Sequence, residues 1–144
     1  MLRYVTVAFT VLFSTAVWAG GVSVSHAWIR LLPGDLPAGA YCTISNGSDH
    51  AMELLGASAP DFKSAMLHKS VTQSGMDKMV AVDDIKIAAG KQFSFAPGGY
   101  HIMLMPPHAP LKPGDHVRIN FRFADGSTTS ALFLVKGASA MNDH

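Results

Sequence analysis

The sequence predicts an all-β domain, a β-sandwich or Greek-key barrel, on three observations. Runs with apolar residues at every second position recur at a spacing of roughly 8–12 residues. Gly, Pro, Asn and Asp stand between the runs, where strands have to turn. Beyond residues 1–19, no apolar stripe at helical spacing lasts more than a couple of turns.

The elements follow in order. Residues 22–25 (VSVS) alternate, and residues 26–30 (HAWIR) continue the pattern. Residues 33–37 (PGDLP) form a loop. The next run, residues 40–45, stops at Asn46-Gly47, a strong turn dipeptide. Residues 52–57 make a third run, ended by Ser58-Ala59-Pro60. Shorter runs follow at residues 65–71, 79–82, 85–87, 92–95 and 100–105. Residues 117–123 place Val117, Ile119, Phe121 and Phe123 on one face, and Asp125-Gly126 turns the chain into residues 128–135.

At 144 residues the chain is one domain's worth. Residues 1–19 have the layout of a secretory signal peptide: Arg3, an apolar stretch, then the small-residue site Val17-Trp18-Ala19. Cleavage is expected between Ala19 and Gly20. That leaves a binding domain over residues 20–136 and a flexible tail over residues 137–144. Of eleven Lys and Arg one is Arg3, so the processed chain balances ten basic against ten acidic groups. With no basic run, nucleic acid is not an expected partner. With no polybasic patch, stable membrane attachment after cleavage is not expected either. Cys42 is alone and cannot form an internal disulfide.

Common catalytic signatures are missing. The chain has no G-x-S-x-G elbow, no H-E-x-x-H, no phosphate-binding loop and no C-x-x-C. Glu53 is the only glutamate, so no Glu pair can do acid–base work. Soft and borderline metal ligands are abundant instead, with eight Met and seven His against one Cys. In the segment PGGYHIMLM, Ile102 and Leu104 share one strand face while His101, Met103 and Met105 share the other. Together with His68 and Met79 these residues give the spacing H-x10-M-x21-H-x-M.

Imidazoles with thioethers suit Cu(I), whereas Mg²⁺ and Ca²⁺ take oxygen and zinc takes Cys, His and carboxylates. A thioether also cannot be lost to a disulfide in an oxidising compartment. Methionine is equally a gap-filler of cores. The residues alone therefore leave a structural role open beside the metal-binding one.

These residues resemble the periplasmic PCuAC-type copper chaperones, a family marked by an H-x10-M-x21-H-x-M motif. Here it falls on His68, Met79, His101 and Met103, and AWIR, AYCTISN, PGGYHIMLM and LKPGDHVRINFRFADG look like further family landmarks. The resemblance implies a cupredoxin-like Greek-key β-sandwich holding Cu(I), located in the periplasm. It also implies delivery of copper to the CuA centre of cytochrome c oxidase subunit II, directly or through a Sco-type partner. Binding and transfer without catalysis is the expected function, by a monomer. Copper sequestration or tolerance is the alternative, and blue-copper electron transfer a weaker one, because it needs a Cys thiolate and Cys42 lies outside the motif. A metal-free apolar binding or adhesion module is a further rival.

Two departures from the family stand out. Met66 replaces an acidic residue two before His68; parity puts the two on one face, which leaves Met66 as an extra soft ligand or a core residue, the core role being the expected one. Met76 replaces an aliphatic residue and is expected in a loop. Met105 ranks as a substitute ligand at best. His108 and His116 are expected in solvated loops, and His26 and His50 have no partner at a ligand spacing. Met141 and His144 offer a weak second site in the tail. Tyr100 and Trp28 are candidates to shield the metal, with packing in the core or at its rim the expected role.

Overall fold

The computed structural model describes residues 21–140; the expected leader, and Met141 and His144 of the tail, lie outside them. Ten strands and no helix are found among the described residues: β1 (Val22–Arg30), β2 (Ala38–Asn46), β3 (Met52–Ser58), β4 (Ala65–Gln73), β5 (Met76–Ala81), β6 (Ile85–Ile87), β7 (Gln92–Phe95), β8 (Tyr100–Leu104), β9 (His116–Phe123) and β10 (Thr128–Lys136). They form one hydrogen-bonded network in the order β5-β4-β8-β2-β1-β10-β9-β3-β6, with β7 also on β2. The β1–β10 pair is parallel and the others are antiparallel. The inner faces of both halves meet in one core: Ile29, Ile44, Leu67, Ile102 and Leu104 from one side, Leu54, Ile119, Phe121, Phe123 and Phe133 from the other. The expected all-β, cupredoxin-like architecture is the one observed.

Alternation is not continuous through β1. Ser25 pairs with Thr43 and Trp28 with Tyr41, so His26 and Ala27 together oppose Cys42 in a β-bulge. His26 takes φ 50° there, the left-handed conformation a bulge of this kind needs. The extra residue reverses parity. Val22 and Val24 share the face of Ile44 before the bulge, whereas after it Ile29 faces the core and Trp28 and Arg30 face outward. The expectation that residues 26–30 simply continue the earlier alternation is therefore corrected.

A second difference concerns β5. It begins at Met76 and not at Met79, because Ser74 (φ 53°) and Gly75 (φ 75°) form a two-residue turn of the kind that closes tight hairpins. Met76 is a strand residue paired with Gln73, not a loop residue. His116 likewise opens β9 but stays exposed, and His108 is exposed in the loop before it.

Asn46 ends β2 inside the core, 1% exposed. Its Nδ2 donates to the carbonyls of His50 (2.8 Å) and Ile87 (2.9 Å), and its Oδ1 accepts from the Ser48 amide (3.1 Å) and hydroxyl (2.6 Å). One amide thus fastens the β2–β3 turn to β6. Asn46→Ala would strand the buried Ile87 carbonyl, and we expect a loss of about 2–3 kcal/mol, read as a lower urea midpoint at unchanged slope.

Candidate metal centre

The β4–β5 hairpin and the β4–β8 pairing bring the four motif residues together. In the β4–β8 ladder His68 pairs with His101 and Met66 with Met103. In the β4–β5 ladder Met79 pairs with Ser70, two residues beyond His68. Directly opposed residues in a ladder, and residues two apart in a strand, share a face. His68, Met79, His101 and Met103 therefore stand on one face, and it is the face turned away from the core: Leu67, Ile102 and Leu104 are 4%, 0% and 0% exposed on the other. The long gaps in the motif are the chain needed to make the hairpin and to return as β8.

The imidazole rings meet edge to face, centroids 5.7 Å apart at 72°. His101 is buried, and its Nδ1–H points at the Gly99 carbonyl 3.5 Å away. That carbonyl is fixed by the Ser70 amide, which donates to it at 3.0 Å. A carbonyl behind one ring nitrogen leaves the lone pair on the other, the usual way a ligand histidine is oriented. His101 Nε2 is buried with no hydrogen-bond partner, and so is His68 Nδ1. A buried polar atom without a partner costs free energy that a folded protein normally avoids. Two such atoms on adjacent rings, flanked by thioethers, fit a soft metal ion. Burial holds the His101 pKa below its ordinary value; the Gly99 carbonyl pulls the other way and His68 adds to the lowering. The lowering favours the neutral ring that a ligand needs.

Met79 lies on the edge strand and is 60% exposed. With Ser70, His101, Met103, Gly39 and Tyr41 it lines an open cleft of about 210 Å³ on the outer face. Among the described residues no three His, Cys, Asp or Glu side chains converge, so an ion held here needs the sulfurs.

Sequence reasoning missed Gly39, Tyr41 and Arg30 in the cleft's far wall. Gly39 pairs with Met103, and the Tyr41 hydroxyl lies over it so closely that a Cβ on Gly39 would stand 2.7 Å from the oxygen. Tyr41 stacks on Trp28 with centroids 4.8 Å apart, and the Arg30 guanidinium covers both rings. The reversed parity after the β1 bulge puts Trp28 and Arg30 on this face, and no local pattern announces it.

The other candidates fall elsewhere. Met66 is 40% exposed, not a core residue: the core position belongs to its neighbour Leu67. Met76 lies on the opposite face of the hairpin from Met79. Met105 is past the end of β8, its amide bound to the Ser64 carbonyl. Tyr100 packs on Phe93 and not over the site. His50 meets the Asp49 carboxylate at the surface. Cys42 is buried on the core face of β2, where desolvation pushes its thiol pKa far up.

Comparison with known proteins bears on the family and the fold. The family described as "Putative lipoprotein LpqE-like" matches residues 22–135. A relative in Leifsonia xyli, "Putative lipoprotein Lxx21020", is 36% identical over 127 residues, 88% of this chain and 76% of that one. The solution structure of apo-DR1885 from Deinococcus radiodurans superposes with TM-score 0.62 at 31% identity, covering 95% of this chain and 94% of that one. The CuI-DR1885 structure gives 0.58 at 33%, covering 81% and 75%. The copper-bound PCuAC domain of PmoF2 shares the fold, with TM-score 0.67 at 22% identity over 83% of this chain and 95% of that domain. The chain belongs to the LpqE-like, PCuAC-type family.

Proposed function

We propose that this protein is an exported copper carrier that binds Cu(I) through His68, Met79, His101 and Met103. We further propose that it delivers the ion in the periplasm to the CuA centre of cytochrome c oxidase subunit II, directly or through a Sco-type partner. The observation that carries the binding step is the pair of buried, unpartnered imidazole nitrogens set among thioethers on an accessible face. The CuI-DR1885 structure and the lipoprotein name of the Leifsonia relative support copper and export. Anaerobic titration with Cu(I) against a competing chelator tests the reading, with one tightly held ion per chain expected. Uptake of none would reject it.

Blue-copper electron transfer is disfavoured because the thiolate it needs is on the wrong side of the sheet. Sequestration uses the same site and is separated from delivery by the direction of transfer, argued below.

Two consequences concern the ligands. Met103→Leu keeps volume and removes only the sulfur, so folding should lose less than about 1.5 kcal/mol. Cu(I) affinity should fall by about tenfold or more. Acid should also weaken binding, because a protonated imidazole cannot ligate and an ordinary histidine titrates near 6.5. Since burial holds His101 below that value, affinity should be flat above about pH 7 and decline with a proton dependence no steeper than two. A steeper decline would require additional titrating ligands.

A further inference from the structure

A third thioether stands on the ligand face without a role. Met66 pairs directly with Met103 across the β4–β8 ladder and precedes His68 by two residues on the same strand. Its neighbour Leu67 is buried in the core, so the regular strand turns Met66 outward, where it is 40% exposed. Directly opposed side chains have Cβ atoms about 4.5–5.5 Å apart, and the side chain two residues on lies about 6.6 Å along the strand. A methionine, with three rotatable bonds, spans such distances.

Met66, His68, His101 and Met103 thus form a two-by-two block on adjacent internal strands. Met79 lies on the other side of His68, opposite Ser70. The two outlying sulfurs also differ in how they are held. Met79 sits on the edge strand β5, which pairs with β4 alone and is exposed along its whole length. Met66 sits on β4 ahead of the β4–β5 ladder, which starts at His68, and pairs with Met103 of β8, so its place does not depend on β5. Met79 is therefore the sulfur more easily drawn away, and Met66 the one that stays.

We propose that Met66 is an alternative fourth ligand, taking the place of Met79 on a Cu(I) ion that remains on His68, His101 and Met103. The inference rests on the Cu(I) reading above. It gives the exchange a physical purpose. When β5 and Met79 move aside to admit a partner's ligand, the ion keeps a four-group environment on the rigid strands and is not released to solvent. The soft sulfur stands where an acidic group would have given a hard oxygen, which Cu(I) binds poorly.

The test uses the Cu(I)-loaded chain under anaerobic conditions, with Met66→Leu, Met79→Leu and the double variant. Chelator competition gives affinity and X-ray absorption counts the sulfur neighbours of copper. Thermal unfolding of the apo forms confirms that the Leu replacements fold. Met79→Leu alone should keep two sulfur neighbours and lose only several-fold in affinity. Adding Met66→Leu should remove a sulfur and cost about a further tenfold or more, whereas Met66→Leu in the parent should change affinity by less than about threefold. The double variant would then lose more than the two single losses combined. One sulfur neighbour in Met79→Leu, or a double variant no weaker than Met79→Leu, would overturn the proposal while leaving Cu(I) binding intact. Failure of the parent protein to take up Cu(I) would instead reject the functional reading, and this inference with it.

Discussion

His101→Leu is expected to bind Cu(I) at least about a hundredfold more weakly than the parent protein, and yet to be more stable without metal. The first half follows from removing a ligand: groups that merely orient a ligand already contribute about 10–100-fold to metal affinity. The second half follows from burial. His101 is 6% exposed and its Nε2 has no partner, so the apo fold carries a desolvated acceptor. Such a group costs about 1–3 kcal/mol, and an apolar side chain of similar size avoids that cost. Loss of the Nδ1–H contact offsets little, because at 3.5 Å it is long. A gain of about 1 kcal/mol in the urea unfolding of the apo protein is the expected balance.

The same substitution should alter the response to acid. Because the folded-state pKa of His101 is depressed, the unfolded chain binds its proton first as pH falls. Above about pH 6.5 the ring is neutral in both states and adds no acid sensitivity, and stability is lost as pH drops from there through the lower folded value. His101→Leu should remove that part of the acid sensitivity. A variant that is less stable than the parent and still binds Cu(I) fully would make His101 a structural residue.

That trade of stability for binding was partly legible in the sequence. Alternation in YHIML separated Ile102 and Leu104 from His101 and Met103, and the structure buries the first pair in the core while giving the second to the cleft. The motif's long gaps were legible as spacing but not as geometry. That His68 sits opposite His101 depends on the β4–β8 register, which is set by pairing partners far apart in sequence. Met66 shows where parity stops informing: it correctly joined Met66 to His68, but not which face is buried, because Leu67 offers the core an apolar side chain from the opposite face. Tyr41 and Arg30 were hidden for a different reason. A single inserted residue at the β1 bulge exchanges the two faces, and the residue that accepts the left-handed conformation there is a histidine and not the glycine that would have signalled it.

Copper is expected to leave this protein for a reduced dithiol acceptor and not to return. Two imidazoles and two thioethers carry no net charge, so they hold Cu(I) by soft donation alone. A pair of Cys thiolates, as in a CuA or Sco-type site, adds anionic charge to softer donors and should be the thermodynamic sink. Transfer also requires that the incoming thiolate reach the ion before the outgoing ligands let go. The outer-face cleft provides the approach, and Met79, 60% exposed on an edge strand, is the ligand whose departure disturbs the fold least. Arg30 is the charged group lining that cleft, so an approaching thiolate meets a cation there and not a repelling carboxylate. Mixing the Cu(I)-loaded protein anaerobically with a reduced dithiol acceptor domain should therefore move most of the metal to the acceptor within a short incubation. The reverse mixture, loaded acceptor with apo protein, should leave the metal where it began. Met79→Leu should still transfer, whereas acceptor Cys→Ser variants should not. Copper that stays on this protein in both mixtures, with the acceptor shown to bind Cu(I) by itself, would make the site a store, because a site that outcompetes paired thiolates has no downhill route for delivery.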